Sequence, residues 1–152
     1  VRAGKAGTYG MIGGQVVDVK ETGHAVSREV LDFIYELKTG ALIESSMMIG
    51  AILAGVSDED VKKVERIASN VGFAFQVQDD ILDVTSTSEV LGKPVHSDEK
   101  NEKSTYVTLA GLEEAGKLVE TASMEAVRLL GELPGENGYL AWLIEKLIHR
   151  EK

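Results

Sequence analysis

Between Phe75 and Val84 the chain reads Phe-Gln-Val-Gln-Asp-Asp-Ile-Leu-Asp-Val, with three carboxylates and two amides set into an otherwise apolar helical stretch. On a helix, residues three and four apart share a face. Asp79 and Asp83, Asp80 and Asp83, and Gln76 with both Asp79 and Asp80 therefore fall into one polar patch. Phe73, Phe75, Val77, Ile81, Leu82 and Val84 flank it, and no lysine or arginine lies between Arg66 and Lys93 to balance the charge. Like charges at this spacing repel, so something must compensate. A solvated acidic surface is one reading. The apolar surroundings and the glutamines favour the other, a hard divalent cation. Mg2+ takes oxygen ligands, keeps several waters and bridges one or two carboxylates to a substrate phosphate.

Other polar residues fit that chemistry. Lys38-Thr39-Gly40 falls at the end of a helical pattern, where a lysine also suits the negative end of the helix dipole. Lys93 and Lys103 stand in a polar stretch with Asp98 between them. Singly, such lysines are solvated. Beside a carboxylate cluster they suit a diphosphate held by Mg2+ on one side and ammonium groups on the other. Gln15 and Asp18, three apart next to Gly13-Gly14, form a second polar patch in an apolar stretch; a buried hydrogen-bonded pair is the structural alternative.

The elements that must position these groups read as helices. Hydrophobic residues make up 43% of 152, enough for one domain with a core over residues 1–152. No alternation of strand type persists, and the two prolines, Pro94 and Pro134, sit in loop-like stretches. The pattern predicts a glycine-rich helix over Tyr9–Lys20, where the glycines imply close approach of another helix or a ligand. It predicts a helix capped by Ser27 and running to Leu37, an interruption at Gly40, and a helix over Ala41–Leu53. Ser57, with Asp60 three residues on, begins a helix from Asp58 to about Val84, about 40 Å long. Thr85–Ser104 reads as a loop, followed by helix from near Tyr106 to Leu133 with a break at Gly111, a turn at Pro134–Gly138 and a last helix from Tyr139 to about His149.

With 25 acidic against 16 basic residues the net charge is −9, which disfavours a nucleic-acid partner. There is no cysteine, so neither disulfides nor thiolate chemistry. No apolar run reaches the ~18 residues of a membrane span, and no signal-like segment opens the chain; a cytoplasmic protein is the simplest class.

Together these residues resemble the trans-isoprenyl diphosphate synthases, the family of farnesyl and geranylgeranyl diphosphate synthases, nearest the bacterial short-chain enzymes. The segment FQVQDDILDV resembles the family's second aspartate-rich motif, GMIGGQVVDV its GQxxD segment, and LKTGALI its Lys-Thr segment. LGKPVHSDEKNEKSTYVTL resembles its lysine-bearing loop. The resemblance implies an all-α, isoprenoid-synthase-type helical bundle, of which this chain is the C-terminal half, and a homodimer. It implies Mg2+-dependent transfer of an allylic diphosphate's prenyl group onto isopentenyl diphosphate. Asp79 would hold Mg2+, with Asp80 and Asp83 as ligands or water-mediated partners. Lys38 and Lys93 would contact the allylic diphosphate, and Lys103 would close over it with Asp98 nearby. Thr39 and Gln76 would line the reacting centre, and Phe75 would touch the prenyl or isopentenyl chain.

Two loop positions depart from the family pattern: His96 stands where it has glycine, and Val107 where proline often follows. The family also has a first aspartate-rich motif before the GQxxD helix, whereas Asp-Asp occurs here only at Asp79-Asp80. The chain is therefore expected to be part of a longer polypeptide and inactive alone. A non-catalytic partner subunit is the alternative, but such relatives commonly carry degraded aspartate motifs. A class I terpene cyclase would mix Asn, Ser or Thr and Glu into its second metal motif.

Overall fold

The computed structural model describes residues 2–87, 103–148 and 150; Lys93, His96 and Asp98 lie outside them. All the regular structure among the described residues is helical: α1 (Arg2–Ala6), α2 (Met11–Glu21), α3 (Arg28–Tyr35), a π-helical turn (Glu36–Gly40), α4 (Ala41–Leu53), α5 (Asp58–Thr85), α6 (Tyr106–Ala110), α7 (Leu112–Leu130) and α8 (Gly138–Ile148).

The 28-residue α5 is the spine. Ser57 caps it by accepting a hydrogen bond from the Asp60 N–H at 3.1 Å, and Asp58, Glu59 and Asp60 place negative charge at the positive end of its dipole. The Asp60 carboxylate meets the Ser57 hydroxyl, so the reciprocal bond of a full capping box is not made. Val64, Ile67, Ala68, Val71, Ala74 and Val77 recur at helical spacing and are buried. α7 packs along this face with Ala115, Val119, Ala122, Ala126 and Leu129, and its small residues let the two axes lie close. α4 covers another side of α5, and α8 leans on both α5 and α7 through Ile144 and Ile148. Lys5 ties α1 to α4 and α5 by pairing with the buried Glu44 and, at 2.9 Å, with Glu65. Burial opposes the Lys5 charge, but the two carboxylates outweigh it and raise its pKa.

Two boundaries differ from the sequence reading, and a third, at Ser27, agrees in place but not in its capping bond. Gly40 does not interrupt its helix. It keeps right-handed backbone angles (φ −54°, ψ −47°), and the chain runs from α3 to α4 through the π turn. Ser27 takes the extended N-cap backbone position of α3, but its side chain makes no capping bond. The first helix begins at Met11, and Arg2–Ala6 forms a separate short helix before it. The break at Gly111 is present: its φ of 86° suits glycine and turns α6 into α7. Trp142 is half exposed, its ring 5.7 Å from that of Tyr139 at a tilt.

Candidate active site

Two backbone approaches build the site, and a glycine permits each. A Cβ on Gly14 of α2 would stand 2.4 Å from the Lys38 nitrogen, so only glycine lets α2 come this near the π turn. One helical turn further along α2, Asp18 then reaches Lys38: Nζ lies 2.6 Å from Oδ2. Likewise a Cβ on Gly72 of α5 would stand 2.9 Å from the Gly40 Cα. One turn on, Gln76 Oε1 accepts the Thr39 hydroxyl at 2.5 Å. The π turn adds a residue to the helical register and brings Lys38 and Thr39 to these partners. Such bulges recur at functional sites.

Lys103, just before α6, donates to the same Asp18 carboxylate at 3.2 Å. Two ammonium groups from distant segments thus clasp one anion. Burial pushes the Asp18 pKa up, but hydrogen bonds and charge from Lys38, reinforced by Lys103, outweigh this and hold it below the usual carboxylate value. A carboxyl depressed by folding stabilises the native state above its unfolded pKa of about 3.9. That stability is lost as pH falls through the lower folded value. The thermal midpoint is therefore expected to drop below pH 4, and Asp18→Asn is expected to flatten that acid limb. Parallel acid limbs in melts across pH 2 to 6 would rule this contribution out.

A cavity of about 130 Å³ opens beside this clasp, walled by Asp18, Lys38, Gln76, Asp79, Asp80 and Lys103, with Tyr35, His24 and Thr105 also on its lining. Asp79 Oδ1 accepts from the Arg150 guanidinium at 2.9 Å, and that guanidinium lies 3.8 Å from the centre of the half-buried Phe75 ring. Asp80 is buried. Its Oδ2 accepts the Tyr35 hydroxyl at 2.6 Å and the Tyr106 N–H at 2.9 Å. The second bond satisfies a first-turn N–H of α6, while Thr105 and Thr108 form a capping box at the same helix start. Tyr106 packs edge-on against Phe73 at 5.2 Å and tilted against Tyr35 at 5.5 Å, and its hydroxyl reaches Asp32.

Of the residues singled out by sequence, Asp18, Lys38, Gln76, Asp79, Asp80 and Lys103 line one cavity, and Thr39 bonds to Gln76. Asp83 is 2% exposed and is not among the cavity walls. The single four-residue polar patch is thus divided between cavity and core. Among the described residues no three acidic or histidine side chains converge closely enough to hold a metal by themselves. Gln15 is exposed on α2 and does not join Asp18 in the cavity, which corrects their pairing. Lys93 and Asp98 lie outside the described residues. Tyr35, Tyr106 and Arg150 were not legible as site residues, because each meets its aspartate across 26 to 71 positions of chain.

A carboxylate pair and paired ammonium groups on the lining of one cavity suit a metal-bound diphosphate. Mg2+ needs only one or two protein carboxylates when phosphate oxygens and water complete its shell, so Asp79 and Asp80 fit it without a third acid.

Comparison with known proteins gives concordant matches. Residues 4–129 match the family model described as polyprenyl synthetase. The farnesyl diphosphate synthase of Bacillus subtilis (strain 168) is 40% identical over 146 residues, covering 96% of this chain and 49% of that protein. The chloroplastic geranylgeranyl pyrophosphate synthase of Capsicum annuum is 49% identical over 125 residues, covering 82% of this chain and 34% of that protein. Among solved structures, a Helicobacter pylori geranyltransferase complexed with magnesium and isoprenyl diphosphate superposes with a TM-score of 0.79 at 33% identity, over 96% of this chain and 48% of that one. The chain spans half or less of the length of these relatives.

Proposed function

Because the chain belongs to the polyprenyl synthetase family, we propose that it is the diphosphate-activating, C-terminal half of a Mg2+-dependent prenyltransferase. The whole enzyme joins an allylic diphosphate, dimethylallyl or geranyl, to isopentenyl diphosphate, giving farnesyl or geranylgeranyl diphosphate. The observation that carries this reading is the Lys38–Asp18–Lys103 clasp lining the same cavity as Asp79 and Asp80.

In the reaction the allylic C–O bond breaks and diphosphate leaves with the electron pair. The alkene of isopentenyl diphosphate attacks the resulting cation-like carbon, and a proton is lost as the new double bond forms. Mg2+, when bound, supplies charge to neutralise the leaving diphosphate, and Asp79 and Asp80 would hold it. Lys38 and Lys103, already gathered around an anion, stabilise the same developing negative charge. Thr39 and Gln76 present oxygen to developing positive charge at the reacting carbon, with Phe75 against the apolar chain; by the family resemblance Lys93 would contact the diphosphate, with Asp98 nearby, and Asp83 supports the aspartate segment. The enzyme works as a cytoplasmic homodimer in this reading, and no described helix is long and apolar enough to cross a membrane.

Calorimetry with inorganic pyrophosphate and Mg2+ tests this on the chain itself. Mg2+-dependent binding is expected, weakened at least about tenfold by Asp79→Asn. No such binding, or binding indifferent to Asp79, would sink the reading. The chain alone is expected to give no condensation product.

A further inference from the structure

We propose that Arg150 is a built-in countercation for Asp79, which a divalent cation must displace, so that the C-terminal arginine sets the metal affinity of the site. This rests on the metal-binding reading of Asp79 given above. The guanidinium occupies Oδ1 of Asp79 at 2.9 Å, one of the two oxygens this carboxylate offers a metal ion. Two cations cannot share that position without repelling each other.

The contact has the marks of a resting position. Arg150 lies past the last helical residue of α8, Ile148, so it can swing away without unwinding that helix. Its guanidinium carbon sits 3.8 Å from the Phe75 ring centre, a favourable cation–π arrangement on the residue beside Gln76. Yet its Nε–H is buried with no hydrogen-bond partner among the described residues. A guanidinium bonded on one edge and orphaned on another is held incompletely, because an unsatisfied buried donor offsets part of the gain. The pair is also partly exposed, 20% for Arg150 and 35% for Asp79, which leaves room for solvent and ions to compete.

Arginine at this place lets the aspartate segment fold with its charge balanced before any metal arrives. Metal entry then frees the arginine from Asp79 and from the Phe75 ring together, coupling the C-terminus to the state of the site.

Manganese alone, followed through the paramagnetic signal of the free ion, is the probe. Arg150→Gln is expected to bind Mn2+ about threefold to tenfold more tightly than the unmodified chain. The gain should vanish in the double variant with Asp79→Asn. Equal or weaker binding by Arg150→Gln, with binding still lost in Asp79→Asn, would overturn the proposal and leave the metal reading intact. If Asp79→Asn binds Mn2+ as the parent does, both fall. In the unmodified chain, the Arg150 Nε–H resonance, shielded by the Phe75 ring, is expected to move towards its solvent-exposed position when Mg2+ is added. A resonance that stays put under saturating Mg2+ also overturns the proposal.

Discussion

Asp80→Ala is expected to cost about 3 to 5 kcal/mol of stability, a large share of the ~5 to 15 kcal/mol that holds a domain together. The carboxylate is 6% exposed and receives the Tyr35 hydroxyl and the Tyr106 N–H. Alanine removes the acceptor and leaves both donors without it. The N–H belongs to the first turn of α6, so its loss also loosens the segment that carries Lys103. In the aromatic trio of Tyr35, Phe73 and Tyr106, packed by edge and tilt, the Tyr35 ring loses its hydroxyl's bond to Asp80, while the Tyr106 hydroxyl keeps Asp32. Asp80→Asn keeps one acceptor oxygen and should cost markedly less. Urea unfolding of the three proteins decides this: an alanine variant within about 1 kcal/mol of the parent would remove Asp80 from any structural role.

Lys38→Ala should produce the opposite pattern. Lys38 is one-third exposed, and Asp18 keeps Lys103 when it is lost, so stability should fall by no more than about 1 kcal/mol. Affinity for Mg2+-pyrophosphate is expected to fall on the order of 100-fold, because a cation aimed at developing phosphate charge is removed from a partly desolvated cavity. Lys38→Arg should restore only part of it: the planar fork is longer and shaped for two-point contact, whereas the 2.6 Å approach to Asp18 is made by a compact ammonium. Melting temperatures and calorimetric titrations on the same preparations separate the two effects. A Lys38→Ala protein that binds pyrophosphate like the parent would remove Lys38 from the site.

The helical class, the long α5, the Gly111 break and the shared face of Gln76, Asp79 and Asp80 were legible because they depend on short spacings: i to i+4 faces, capping residues and glycine punctuation. The partners of those residues were not. The repulsion among Asp79, Asp80 and Asp83 pointed to a cation, yet part of the compensation comes from protein groups: Arg150 on Asp79, Tyr35 and Tyr106 on Asp80. Each comes from a different helix or chain end, and no local pattern encodes such a meeting. The π turn was missed for a related reason. Gly40 signals a helix end when read alone, but its backbone continues the helix and packs against Gly72, thirty-two positions away, where a Cβ would stand 2.9 Å from the Gly40 Cα. Gln15 failed in the other direction: its three-residue spacing from Asp18 suggested a shared face, but the helix turns Asp18 and not Gln15 to the cavity.

The paired glycine crossings carry a consequence for how this site tolerates change. At Gly14 against Lys38 and at Gly72 against Gly40, main chain rests on main chain, and the reactive side chains hang one turn downstream of each crossing. Distances across the cavity are therefore ruled by atoms that every amino acid shares. The polar residues can be exchanged without resetting the ruler, whereas a single methyl group at either glycine shifts every distance at once. Chemistry and dimension are written in separate residues of this chain, and they can be altered one without the other.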